Sequence, residues 1–246
     1  MNNKSVEKLW DRNAEIDSMR SIVARNDKPQ DWMWGKKAFF DSGFDEIQGV
    51  LNYIDSLNLN LVKQRALDFG CGIGRLTQAL GRHFEEVFGV DISSAMIGQA
   101  TELNKFENCK YLHNTKADLS LFKSNQFNLI YSNLVLQHIQ PEISLVYITE
   151  FIRVLRPEGL LIFQLPCGRN DNSLSAIKNL IQSVIPLELK SFYINRIAST
   201  KLYYDMYFIE REEVISQITD NKGTVIDIVV NDVAPGYISL RYCVKK

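Results

Sequence analysis

The sequence predicts an α/β fold, with a parallel sheet covered by helices on both faces, a helical segment before it and a lid inserted late. Three observations predict it. Between residues 65 and 165 short apolar runs alternate with stretches of helical period, as in strands joined by crossover helices. Near the C-terminus the apolar runs 225–230 and 237–244 lie too close together for anything but a hairpin. The 246 residues, 46% hydrophobic and 23% charged, are enough for a sizeable core and correspond to one domain with additions or two small ones.

Residues 1–63 are dense in aromatics, among them Trp10, Trp32, Trp34, Phe39, Phe40 and Tyr53, and read as a helical N-terminal cap. In 45–57, Ile47, Val50, Leu51 and Ile54 fall on one helical face, so this helix is expected beside a sheet. Residues 64–246 form the α/β domain. Strands are expected at 65–69, 86–90, 110–113, 127–131 and 160–165, with helices at 75–83, 94–105 and 141–155 between them. Ser93 suits the N-cap of the second helix and Pro141 the first turn of the third. Arg156, Pro157, Glu158 and Gly159 then turn the chain into the next strand. The irregular stretch 166–208 breaks the alternation and reads as a lid. A helix at 210–219 and the hairpin follow, so that the sheet ends in an antiparallel strand.

The sharpest chemical signal is the strand 65–69 running into Gly70, Cys71, Gly72, Ile73 and Gly74, a glycine-rich turn that opens a helix. Glycines there permit a sharp bend and the close approach of a ligand. Asp91, at the tip of the second strand, stands about 20 residues further on, where doubly wound folds place the carboxylate that binds a ribose diol. A nicotinamide dinucleotide site favours the wider G-x-G-x-x-G spacing, whereas here the glycines alternate and Asp68 precedes the first of them by two residues.

With these residues the chain resembles the class I S-adenosylmethionine-dependent methyltransferases, and within them the small-molecule methyltransferases, over about 65–165 and the terminal hairpin. The resemblance implies a Rossmann-like, doubly wound seven-stranded sheet with one antiparallel strand. It also implies S-adenosyl-L-methionine as cofactor, held by the turn Gly70, Cys71, Gly72 and Gly74, with Asp91 on the ribose hydroxyls, Asp68 near the amino group, and Ile92 and Met96 against the adenine. The acid that usually accepts the adenine amino group aligns with Thr115; either the Thr115 hydroxyl or a shifted Asp118 accepts that bond, or else Asp118 only caps a short turn, while the backbone of Lys116 and Ala117 reads the ring edge. Asn133 and Leu134, after the fourth strand, are expected to border the methionine half.

His138, in the Leu-x-His turn after that strand, is the one histidine this reading puts near the cofactor. It serves either as the general base for an acceptor hydroxyl or as a positioning residue that also contacts the cofactor. His83 and His113 read as structural. Trp32 and Trp34, with Tyr203, Tyr204 and Tyr207 from the insertion, are candidates for the substrate pocket, or else pack the cap onto the domain.

The implied function is methyl transfer from S-adenosylmethionine to a small molecule, with His138 favouring oxygen over nitrogen. The competitors are a nicotinamide-dependent oxidoreductase and a non-catalytic S-adenosylmethionine-binding regulator. A formal net charge of -1 gives no field for a polyanion, so no nucleic-acid partner is expected. Four scattered cysteines and three scattered histidines suggest neither a disulfide framework nor a metal site. The N-terminus has no secretory pattern and no run is long enough to span a bilayer, which points to the cytoplasm and no membrane partner. The pattern leaves the oligomeric state open.

Overall fold

The computed structural model describes residues 3–22, 35–169, 205–231 and 236–246. Its centre is a seven-stranded sheet of order β3-β2-β1-β4-β5-β7-β6. The strands are β1 (Arg65–Phe69), β2 (Glu86–Asp91), β3 (Cys109–His113), β4 (Phe127–Ser132), β5 (Leu155–Arg169), β6 (Thr224–Val230) and β7 (Tyr237–Lys245). β1 to β5 pair in parallel, and β7 runs antiparallel to both β5 and β6. The hairpin is therefore present, but the antiparallel strand lies inside the sheet and β6 forms the edge. β7 pairs with β5 on one side and β6 on the other, so it cannot be an edge.

Helices α1 (Asn3–Ile22), α2 (Lys36–Ser56), α3 (Arg75–Gly81), α4 (Ser94–Leu103), α5 (Pro141–Val154) and α6 (Arg211–Asp220) complete the described elements. Alternation along the strands sends side chains to two separate cores. Leu67, Ile130, Leu161 and Phe163 join Ile148, Phe151 and Ile152 of α5 and Val214 and Ile218 of α6 on one face. Ala66, Leu129, Tyr131 and Ile162 meet Ile47, Val50, Leu51 and Ile54 of α2 and Leu76, Ala79 and Leu80 of α3 on the other. The helix expected beside the sheet thus begins earlier, at Lys36, and covers one of its faces.

β5 runs to Arg169, four residues into the stretch read as a lid, because 166–169 pair with β7. The rest of that stretch to residue 204, including Tyr203 and Tyr204, lies outside the described residues, as do Trp32 and Trp34. The chain order reverses between β1 and β4. In such sheets ligands settle beyond the strand tips at this switch point.

Candidate active site

A cavity opens at the carboxyl ends of β1, β2 and β4, with Gly70, Gly72, Asp91, Ile92, Met96, Asn133, Leu134 and His138 on its wall. The turn after β1 is built from left-handed backbone, with φ of 74° at Gly70 and 52° at Gly72. A Cβ at Gly70 would lie 2.3 Å from Val135 Cγ2, and one at Gly72 would lie 2.5 Å from Ile22 Cδ1. The glycines therefore serve two ends: they turn the chain, and they let the walls of the cavity close against it.

Asp91 is held by the same turn. Its Oδ2 accepts the Gly72 N–H at 2.8 Å and its Oδ1 the Ser93 N–H at 2.9 Å. A carboxylate offers about four acceptor positions, so capacity remains on the cavity side. Burial pushes the Asp91 carboxyl up, and the backbone N–H groups draw it back. Asp68 stands elsewhere. It is 1% exposed, takes the Thr77 hydroxyl at 2.6 Å, and is pushed up to about 7, chiefly by burial. It underpins the turn and is not on the cavity wall. Cys71 and Gly74 are also behind the wall: the Cys71 thiol is buried, and Gly74 caps α3.

The segment after β3 differs from expectation in register. Asn114 lines the cavity, whereas Thr115 and Lys116 are exposed and none of the residues from Thr115 to Asp118 reaches the wall. Asn114 makes the difference. Its Oδ1 accepts the Lys116 N–H and its Nδ2 donates to the Asp118 carbonyl, at 3.2 and 2.7 Å. The Lys116 carbonyl is taken by the Tyr147 hydroxyl, so the backbone expected to read the adenine edge is already occupied. Asp118 accepts the Ser120 N–H at 2.9 Å, capping a turn on the outside.

The opposite wall was not foreseen. Val6, Leu9, Trp10, Ser21 and Ile22 of α1 close over the cavity. Asp11 Oδ1 accepts from Ser93 Oγ and Ala95 N, at 2.6 and 3.1 Å, so α1 is fastened to the start of α4 beside Asp91. Trp10 packs edge-on to His138 with ring centroids 5.4 Å apart. Only the helical character of the segment, not its position, could be read from its spacing. Tyr207 does line the cavity, next to Asp205.

His138 ends a short 3-10 turn, Leu136–His138. Its Nδ1 lies 2.8 Å from the Asp205 carbonyl, and its Nε2 lies 3.1 Å from Gln137 Nε2. Packing around the ring pushes its pKa down. The arrangement ties the return of the insertion to the tip of β4.

The site accommodates an S-adenosylmethionine-like ligand: a half-buried acid, Asp91, at the glycine turn, apolar Ile92 and Met96 beside it, and at the β4 tip a buried Asn133 Oδ1 with no hydrogen-bond partner, suited to a donor such as an ammonium group. Asn133 Nδ2 is held by Glu46 at 2.8 Å, which aims the free oxygen. Among the described residues no cluster of His, Cys, Asp and Glu could hold a metal ion.

Residues 67–163 match the family model described as a methyltransferase domain. A ubiquinone biosynthesis O-methyltransferase of Pseudomonas fluorescens is 29% identical over 152 residues, 61% of each chain. A carboxy-S-adenosyl-L-methionine synthase of Aeromonas salmonicida is 28% identical over 126 residues, 47% of this chain and 51% of the relative. The chain thus spans between half and about three fifths of the length of these relatives. Among solved structures, the magnesium protoporphyrin IX methyltransferase of Synechocystis PCC 6803 with bound SAH superposes with a TM-score of 0.63, at 17% identity and with all of both chains covered; at that identity the likeness speaks for the fold. The sheet order, the glycine turn with its acid and the match of residues 67–163 to a methyltransferase domain make the chain similar to the class I S-adenosylmethionine-dependent methyltransferases.

Proposed function

We propose that the protein transfers a methyl group from S-adenosylmethionine to the hydroxyl oxygen of a small molecule bound between α1 and the 205–207 segment. The observation that carries this reading is one cavity with an acid-bearing glycine turn at one end and, at the other, an imidazole whose burial favours the neutral form. When bound, S-adenosylmethionine supplies an electrophilic methyl on a sulfonium. The chain's part is then alignment, exclusion of water and removal of one proton.

Asp91 holds the ribose diol, Ile92 and Met96 flank the adenine with Asn114 beside it, and Asn133 Oδ1 receives the ammonium group. Trp10 and Leu9 shut out water. His138 Nε2 takes the hydroxyl proton once the acceptor has replaced the Gln137 amide there, a substitution of one donor by another. Of the residues expected at the acceptor pocket, Tyr207 lines the cavity, while Trp32, Trp34, Tyr203 and Tyr204 lie outside the described residues. The O-methyltransferase name of several relatives supports oxygen over nitrogen. A cytoplasmic setting without a nucleic-acid or membrane partner is part of the proposal. It draws support from cysteines that are all unpaired, and among the described residues no helix is long and apolar enough to cross a membrane.

The test uses methyl-labelled S-adenosylmethionine with panels of phenols, catechols and amines. Label is expected in the hydroxyl compounds, and Asp91→Ala should weaken binding of S-adenosylhomocysteine about tenfold or more, since a hydrogen bond to a charged group contributes roughly 1.5–3 kcal/mol. Label confined to amines, or unchanged affinity in a folded Asp91→Ala protein, would contradict the assignment.

A further inference from the structure

Gln164 is a polar residue in the middle of the most apolar strand of the sheet. It is 1% exposed, and its neighbours Leu160, Leu161, Ile162, Phe163 and Leu165 are all at 1% or less. A buried amide of this kind is costly unless every donor and acceptor is used. Here all are. Its Oε1 accepts the Leu134 N–H at 3.0 Å, and its Nε2 donates to Gln137 Oε1 at 3.2 Å and to the Ser239 hydroxyl. Gln137 continues the chain to His138 Nε2, and His138 Nδ1 meets the Asp205 carbonyl.

This chain of bonds has a single consistent polarity. It begins at a backbone N–H, which only donates, so the Gln164 atom facing Leu134 is the oxygen. The Gln164 NH2 then faces Gln137, whose near atom must be its oxygen and whose own NH2 must point at His138. Nε2 of the imidazole therefore presents its lone pair. At the far end the Asp205 carbonyl only accepts, so Nδ1 carries the proton. Leu134, where the chain begins, sits at φ 62° on the cavity wall, a conformation that an ordinary side chain adopts only when its surroundings impose it.

We propose that Gln164, acting through Gln137, is a positioning residue that sets both the left-handed turn at Leu134 and the protonation state of His138, holding the imidazole neutral with its proton on Nδ1 and its basic lone pair on Nε2. An imidazolium at this place would set two N–H groups against each other at Gln137, whose amide cannot reverse while Gln164 donates to its oxygen. The relay thus works against protonation. Among the described residues the charged group acting on His138 is the Asp205 carboxylate, which favours protonation and receives the Tyr207 hydroxyl. Among the described residues α1 presents the Trp10 ring, and β5 and β7 contribute the Gln164 amide and the Ser239 hydroxyl behind Gln137.

The proposal deepens the reading of this cavity as the methyl-transfer site, but its test does not need turnover. Protein labelled with 15N-histidine, with His138 assigned by comparison with His138→Gln, is followed by long-range proton–nitrogen correlation across pH. At pH 7 the expected signature is a protonated Nδ1 and a bare Nε2, with a midpoint below the ordinary value of about 6.5. In Gln164→Met the Gln137 amide is free to reverse, and the midpoint should rise by about one pH unit or more, a tenfold change in proton affinity. An Nε2–H tautomer or an imidazolium in the native protein at pH 7 would overturn the proposal, and so would an unchanged midpoint in a folded Gln164→Met protein. Should Gln164→Met fail to fold, the native spectrum alone decides. Failure of the base reading shows separately, as turnover retained in His138→Ala while the native protein keeps the predicted spectrum.

Discussion

Two residues carry opposite pH dependences. Asp68, whose carboxyl moves from an ordinary 3.8 to about 7 on folding, contributes its full stability only where both states are protonated, below about pH 4, and loses it as pH rises through about 7. Asp68→Asn keeps the acceptor for Thr77 without the charge. Its stability relative to the native protein should therefore grow between pH 4 and pH 8, by an amount on the order of a few kcal/mol, as read by denaturant titration. A difference that does not vary with pH would show that Asp68 stays ionised. His138 is shifted the other way, so it is neutral at physiological pH. If it is the base, turnover rises with pH through a midpoint below about 6.5, and His138→Ala lowers turnover by about a hundredfold with cofactor affinity nearly unchanged. A weakened affinity with the same pH profile would assign it to positioning alone. At this scale the sequence was readable where a motif fixes both residue and place, as for Gly70, Gly72 and Asp91. After β3 the residue on the cavity wall is Asn114, one position before Thr115, because the turn that brings it inward depends on its own side-chain bonds to Lys116 and Asp118, which the linear pattern does not display.

At the scale of the element, α1 is the piece that spacing could not place. Its helical nature follows from composition, but its seat over the cavity depends on contacts with α4 more than 80 positions along the chain, Asp11 with Ser93 and Ala95 and Ser18 with Gln99. Its course also bends: Asp17 leaves helical geometry at ψ 94° and accepts the Arg20 N–H, which aims Ser21 and Ile22 at the glycine turn. The helix is therefore a wall of the site held by a few polar ties. Asp11→Ala should lower stability by about 1 kcal/mol, the usual effect of losing a helix-start acceptor, raise amide exchange in α1, and weaken cofactor binding by up to about tenfold. Undiminished binding with faster exchange in α1 would mean that the wall does not matter to the ligand. The strands, by contrast, were legible almost to the residue, because each is an apolar run bounded by polar or glycine punctuation. β5 was the exception, since Pro166 and Gly168 look like an ending while the pairing with β7 carries on across a bulge to Arg169.

For the molecule as a whole, the alternation of strands and helices gave the parallel half of the sheet, and the close hairpin gave its antiparallel strand. The insertion of β7 between β5 and β6 was not in that pattern, since pairing order is decided by which strand best covers the open edge of β5. The glycine turn, Asp91, α1 and His138 converge on one cavity at the switch point, and the proposed function rests on that convergence. Turnover is expected to survive excess EDTA, and loss of activity restored by a divalent ion would require a site beyond the residues assigned here. The most direct measurement of the central claim is isothermal titration of the purified protein with S-adenosylhomocysteine and, separately, with NAD. One equivalent of S-adenosylhomocysteine should bind and NAD should not; saturable binding of NAD, or none of S-adenosylhomocysteine by a folded protein, would contradict the account.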